Sequence, residues 1–457
     1  MKSRKILVCI GLALALVNCG GDDSSSESGG DSSVQVADGQ ESFTWGSDVR
    51  SQEIRLTGST SWSVSSDADC QNWCYPEKER GNGSSIPLWV SPNITSKARS
   101  GKVTVTVGGR AYTIHVSQPA FTGDLDKYVY HLPVVFHVLY KDANDKTQNA
   151  LQSQYTKILD AVNKLYADND MNIVFEMAKY DKDGELLAEP GIIRHQVSFD
   201  ELDASDFLGS TEEKYEKYVD YQLNLKKCIN IFMFCFTQDD EETTSLGLTT
   251  LPIVTSANSL EGLYETDKAS DYAYLDQVWC VCINSAFINE WQDDQHVNSK
   301  YIVSTLAHEL GHYLGLLHTF SEDGCEEDDY CDDTNISDYE NYSAYIIKYI
   351  EKELALDPKR TFTIDEVATR TDCKTGEKFV AKNILDYTYT RNEEFTRDQL
   401  RRTRFVLEYS PLVPGPKLVD YNTTGKGQRA ATAPVTLPKP KPCPPVSAKQ
   451  KPQVLKE

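Results

Sequence analysis

The chain has 457 residues, 40% of them hydrophobic, with 69 Asp and Glu against 46 Lys and Arg, for a formal charge of -23. That balance excludes a nucleic-acid-binding surface, and the length calls for about two to four folded units whose cores need no cross-links. Only eight histidines are present, and three of them fall within positions 308–318.

Lys2, Arg4 and Lys5 precede an apolar or small run over 6–17. A helix of that length spans about 18 Å against a hydrocarbon core of about 30 Å, so residues 1–18 read as a secretory signal rather than a membrane span. Residues 19–33 are mostly Gly, Ser and Asp, a composition that buries nothing and reads as a flexible linker. Outside the cytoplasm, thiols persist as disulfides.

Over 34–120, short period-2 apolar runs at 53–56, 62–64, 103–107 and 112–116 alternate with turn residues, the pattern of an all-β sandwich. Cys70 and Cys74 are close enough in sequence to close a small disulfide loop there. From 121 to 412 the pattern becomes mixed α/β. A β run at 130–140 is followed by helical spacing over 151–167 and strands at 173–177, 229–236, 247–254 and 278–283. Cys228 and Cys235 lie too far apart along one strand, about 23 Å, to bridge each other. Residues 413–457 carry nine prolines and eight basic against two acidic side chains, and read as an extended tail with no fold of its own.

The chemistry concentrates in His308-Glu309-x-x-His312-x-x-Gly315-x-x-His318. Helical spacing puts His308 and His312 on one face as ligands of a single zinc ion, with Glu309 directed into the same cleft. Gly315 permits the left-handed turn that ends the helix and brings His318 round as third ligand. Three neutral imidazoles leave one position for water, the arrangement of a catalytic zinc site. Zinc acidifies that water, Glu309 acts as general base, and a peptide carbonyl is the target. No nucleophile elbow or phosphate loop competes. His137 reads as a core histidine and His296 as a surface one.

Several segments resemble known families. Leu16-Val17-Asn18-Cys19 resembles a bacterial lipobox, with Asn18 in place of the usual small residue. The resemblance implies a lipid anchor on Cys19, and the acidic residues that follow resemble a surface-export signal, placing the protein at the outer membrane or cell surface. Trp62, Trp73, Asn93, Arg99 and the closing 116–118 resemble a BACON domain, which implies carbohydrate binding, with Trp73 and Tyr75 as stacking rings, or a spacer role. The extended zinc motif, with Thr319-Phe320, Gly324-Cys325 and Asp333-Thr334 behind it, resembles the pappalysin branch of the metzincin endopeptidases. The likeness covers about 123–410.

That resemblance implies a sheet above the zinc helix and a Met-turn below it, here Asn383-Ile384-Leu385-Asp386-Tyr387 with Leu385 in place of methionine. It assigns Tyr387 to oxyanion stabilisation. Thr396 and Gln399 form a capping box for the last helix. The family pattern implies Cys373 bonded to Cys325 or Cys331. Glu322, Asp323, Glu326, Glu327, Asp328, Asp329, Asp332 and Asp333 form an acidic loop that reads as solvated or, by the resemblance, as calcium-binding. The expectation is a surface-anchored zinc endopeptidase acting on proteins or peptides. Its rival is a glycan-binding lipoprotein with an inactive peptidase-like domain.

Overall fold

A computed structural model describes residues 34–208, 212–237, 243–267, 277–387, 389–419, 446–447 and 453–456. The signal segment, Cys19 and Cys443 lie outside them. Strands β1 (Ser42–Thr44), β2 (Ser51–Ser66), β3 (Cys74–Pro76), β4 (Arg80–Val90), β5 (Arg99–Val107) and β6 (Arg110–Gln118) come first. They hydrogen-bond as one continuous ladder in the order β1-β6-β5-β2-β4-β3, folded around a single core. The reason is β2, which pairs with β4 along its length and with β5 at its C-terminal end, with a register shift between Arg55 and Thr60. Alternate residues such as Ile54, Leu56, Trp62, Val64, Val103 and Val105 then face one shared core.

This sheet packs on the rest of the chain. Arg50 pairs with Glu176 at 2.8 Å and Lys227 with Glu77 at 3.1 Å, while Ile94 joins the core of the second unit. Both rings expected to stack on sugar are engaged in packing. Trp73 is buried beneath the Arg99 guanidinium, 4.6 Å from its centroid, and Tyr75 stacks on Trp89 with Lys227 Nζ 4.2 Å from its ring. Cys70 and Cys74 are buried free thiols, so the expected disulfide loop is absent from this structure.

The second unit opens with β7 (Tyr130–Tyr140), α1 (Gln152–Asp168), β8 (Ile173–Met177), β9 (Ile192–Gln196), α2 (Ala204–Phe207) and α3 (Glu213–Tyr221). It continues through β10 (Ile229–Phe234), β11 (Thr243–Thr244), β12 (Gly247–Thr249), β13 (Ile253–Val254), β14 (Tyr264–Glu265) and β15 (Val281–Asn284). Its main sheet runs β12-β15-β10-β7-β8, with β9 also on β7. All pairings are parallel except the edge strand β12, which is antiparallel to β15. Strand alternation separates two cores: Val134, Phe136 and Val138 pack with α1, and Leu139, Phe232 and Phe234 pack with α2 and α3.

His137 is a core histidine, as its apolar strand implies. Its Nε2 donates to Asn230 Oδ1 at 2.9 Å and its Nδ1 lies 3.2 Å from His195 Nε2. Burial pushes His137 down to about 3 and His195 down to about 4. The unfolded chain therefore takes up protons below pH 6.5 that the folded chain refuses, and stability falls with acidification at about 1.4 kcal/mol per pH unit per histidine. His137→Gln is expected to flatten that slope between pH 6.5 and 5 in urea denaturation, and an unaltered slope would show that His137 does not set it.

The remaining elements are α4 (Ile302–Tyr313), β16 (Phe320–Ser321), β17 (Ser337–Asp338), α5 (Tyr339–Leu356), β18 (Phe362–Thr363), α6 (Ile364–Ala368), β19 (Thr369–Thr371), β20 (Lys378–Val380) and α7 (Arg397–Tyr409). The capping box predicted at Thr396 and Gln399 opens α7. The tail departs from expectation. Val413 is buried in the main core, and the strands β21 (Val446–Ser447) and β22 (Val454–Leu455) pair with β11 and β18. Among the described residues no helix is long and apolar enough to cross a membrane.

Candidate metal centre

Helix α4 is buried along most of its length because Leu306, Ala307, Leu310 and Tyr313 pack into the core shared with α1, where Tyr166 donates its hydroxyl to Ala307 O at 3.0 Å. The helix stops at Gly315, whose φ of +92° lies in the region disfavoured for side chains. The chain then folds back, and three ring nitrogens converge. His312 Nε2 lies 2.9 Å from His308 Nε2 and 3.0 Å from His318 Nε2.

The surroundings decide what these nitrogens present. His308 Nδ1 faces Ile384 O and His312 Nδ1 faces Leu316 O, both at 2.8 Å. A carbonyl accepts only, so each Nδ1 carries the proton and each Nε2 carries a lone pair. Burial holds both imidazoles neutral, His312 down to about 4 and His308 further. Lone pairs facing one another at about 3 Å repel, and a cation between them removes the conflict. The donor set and the carbonyls behind it fit a zinc ion.

Glu309, 1% exposed, lies beside this trio and against the edge strand. Its Oε2 accepts from Thr249 Oγ1 at 2.5 Å. A Cβ placed on Gly247 would stand 2.5 Å from Oε1, so only glycine leaves room for the carboxylate there. The adjoining cleft is lined by Leu246, Ser304, Thr305, Asp386, Tyr387 and Thr390 among others.

Beneath the helix runs the turn 383–387. Leu385 is fully buried, and its Cδ2 would lie 3.0 Å from a Cβ on Gly311, so it packs directly under the ligand helix. The Tyr387 ring centroid is 5.9 Å from that of His308 and 6.5 Å from that of His318. Arg370, on β19, holds the turn. Its guanidinium pairs with Asp386, donates to Tyr387 O at 2.5 Å and to Tyr389 O at 3.3 Å, and lies 4.1 Å from the Tyr342 ring centroid. Burial pushes the Asp386 carboxyl up to about 6, and Arg370 limits that rise.

In the acidic loop, Asp323, Glu326, Glu327, Asp328, Asp332 and Asp333 are exposed, whereas Asp329 is 1% exposed. Its Oδ1 accepts from Thr334 Oγ1 at 2.8 Å, and its buried Oδ2 has no hydrogen-bond partner among the described residues. Burial pushes this carboxyl up to about 6. The loop is tied by Cys325–Cys373, one of the two pairings expected, and Cys331 is a buried free thiol. Sequence reasoning missed Gly247, Thr249 and Arg370. Nothing in their local sequence marks them, because each matters only through a partner at least sixteen positions away.

Two family models match the chain. Residues 269–408 match the peptidase family M43 model described as pregnancy-associated plasma protein-A, and residues 60–119 match BACON, a putative N-terminal binding domain. No curated protein matches. Among solved structures, a Bacteroides ovatus GH5 xyloglucanase in complex with a XXXG heptasaccharide is 15% identical over 46% of this chain and 56% of its own, with a TM-score of 0.18. A protein from Bacteroides thetaiotaomicron is 16% identical over 22% of this chain and 98% of its own, at 0.17. One from Bacteroides vulgatus is 25% identical over 20% and 92%, at 0.14. Scores this low carry no argument about fold or function. The histidine trio lies inside the first match, and the two matched segments stand in the order BACON, then peptidase.

Proposed function

We propose that the protein is a zinc endopeptidase of metzincin type that hydrolyses proteins or peptides outside the cytoplasm. The observation that carries this reading is the convergence of three histidine Nε2 atoms beside a buried carboxylate. His308, His312 and His318 hold the zinc, which when bound supplies the Lewis acidity that acidifies a water and polarises the scissile carbonyl. Glu309 takes the proton from the attacking water and delivers it to the leaving amine. Thr249 orients that carboxylate through its hydroxyl. Tyr387, held by the Arg370 clamp, donates to the oxyanion.

The buried Oδ2 of Asp329, at the centre of the acidic loop, supports a calcium site there. Elemental analysis after dialysis against both metals is expected to find one zinc, lost in His312→Ala, and one calcium, lost in Asp329→Asn. Peptide-library cleavage is expected to stop on chelation and return with zinc. A zinc-loaded protein that cleaves nothing defeats the proposal. Lipid on Cys19 anchors the enzyme at the outer membrane or cell surface in this reading, and Cys19→Ala is expected to move it from the membrane to the soluble fraction. For the BACON domain, the buried Trp73 and its ion pairs to the peptidase unit favour a rigid mount over sugar stacking at Trp73 and Tyr75.

A further inference from the structure

Helix α7 lies against the turn that follows the ligand helix. A Cβ placed on Gly315 would stand 2.6 Å from Val406 Cγ2, so the glycine is needed for this close approach as well as for its φ of +92°. One helical turn before Val406, Arg402 reaches the same peptide. Its Nε donates to Gly315 O at 2.6 Å, and its Nη2 donates to Glu261 O, also at 2.6 Å. The residue is 5% exposed.

Taking a guanidinium out of water is costly unless its donors are well used. Here the hydrogen-bond partners are two backbone carbonyls on separate segments, and a planar fork with fixed N–H directions sets the distance between them. The second segment is itself a glycine bend. Gly262 has a φ of +79°, and a Cβ there would meet Leu317 Cδ1 at 2.7 Å. Arg402 therefore ties the peptide at Gly315 to the bend on which Leu317 packs, and both belong to the stretch that leads from His312 to His318.

The three imidazoles are not held alike. His308 Nδ1 and His312 Nδ1 each face a backbone carbonyl at 2.8 Å. His318 stands outside the helix, with its ring stacked on Phe320 at 4.4 Å between centroids and its Nδ1 4.0 Å from Glu322 Oε1. Both of those partners lie on its own loop. What brings His318 Nε2 to 3.0 Å from His312 Nε2 is the path of the backbone, which is pinned on either side of the ligand. Thr319 N donates to Leu385 O at 3.3 Å on one side, and Gly315 O accepts the shorter, charge-assisted bond from Arg402 on the other.

We propose that Arg402 is the positioning residue for the third metal ligand: by holding Gly315 O it fixes the swing of the chain that presents His318 to the other two imidazoles. This rests on the trio being a zinc site.

The test is the zinc affinity of the full chain, measured by competition with chelators of graded strength, in the wild type, Arg402→Met, His318→Ala and the double variant. Arg402→Met is expected to weaken zinc binding by about tenfold or more, the usual effect of removing a group that orients a ligand. Where His318 is already alanine, the same change is expected to cost less than about twofold, because the ligand it positions is gone. Thermal unfolding with and without zinc separates the role from packing. A lost packing contact lowers both Tm values alike, whereas a misplaced ligand narrows the gap between them. If Arg402→Met does not fold, Arg402→Lys, which keeps the cation but not the fork, is expected to lose affinity with the same dependence on His318. Unchanged affinity, or an equal loss with and without His318, overturns the proposal and leaves the zinc site standing. A wild type that binds no zinc refutes the site itself, and the positioning role with it.

Discussion

Glu309→Ala is expected to lower kcat/KM for peptide hydrolysis by about three orders of magnitude while zinc content and thermal unfolding stay close to those of the wild type. General-base catalysis is worth about 10² to 10⁴ in rate, and the three imidazoles that would hold the metal are untouched. Glu309→Gln separates proton transfer from packing. The amide oxygen still accepts from Thr249 Oγ1, and the side chain still fills the space opposite Gly247, but it takes no proton. Both variants are therefore expected to fall together. Thr249→Val, which leaves the carboxylate in place without its orienting hydroxyl, is expected to lose about tenfold, mainly in kcat. Steady-state rates with metal analysis on the same samples decide the matter. A Gln variant that keeps wild-type turnover removes Glu309 from the reaction, and an Ala variant that loses its zinc removes the distinction between ligand and base.

The second large effect is on stability. Arg370 and Asp386 have side chains 0% and 2% exposed, and the same guanidinium serves the carbonyls of Tyr387 and Tyr389. Removing one partner of a buried pair leaves an uncompensated charge, at a cost of about 3 to 5 kcal/mol. Arg370→Met is thus expected to lower Tm by about 5 to 8 °C for an unfolding unit of about 290 residues. The double variant Arg370→Met with Asp386→Leu is expected to recover part of that loss, because no lone charge then stays buried. It is not expected to recover turnover, since the carbonyl of Tyr387 still lacks its donor and the ring is no longer held. Urea denaturation of the three proteins, with kcat measured well below each Tm, tests both statements. A single variant within about 1 kcal/mol of wild type would show that the clamp is not structural.

Local spacing carried most of what was legible beforehand. The helix at 151–167, observed as Gln152–Asp168, follows from a 3.6-residue apolar period, and the β runs at 130–140 and 173–177 match observed strands because β-branched and aromatic residues cluster there. The capping box at Thr396 and the left-handed Gly315 are single-residue signals with a single mechanical reading. What was not legible involves partners distant in sequence. How the strands of 34–120 join follows from β2, which has two neighbours along its length. Trp73 and Tyr75 meet Arg99, Trp89 and Lys227, none of them adjacent in the chain. A tail rich in proline was expected to lie free, yet Val454 is buried because an edge at 295–297 and another at Phe362 were available to it.

The sequence alone brought the candidate ligand set into view, because two histidines one helical turn apart, a glutamate beside them and a third histidine after a glycine turn need no distant partner to recognise. Tertiary structure alone decided how Glu309 is oriented and what braces the turn beneath the ligand helix. Thr249, Gly247 and Arg370 reach the site by strand pairing and long-range packing, and neither leaves a periodic trace in the chain.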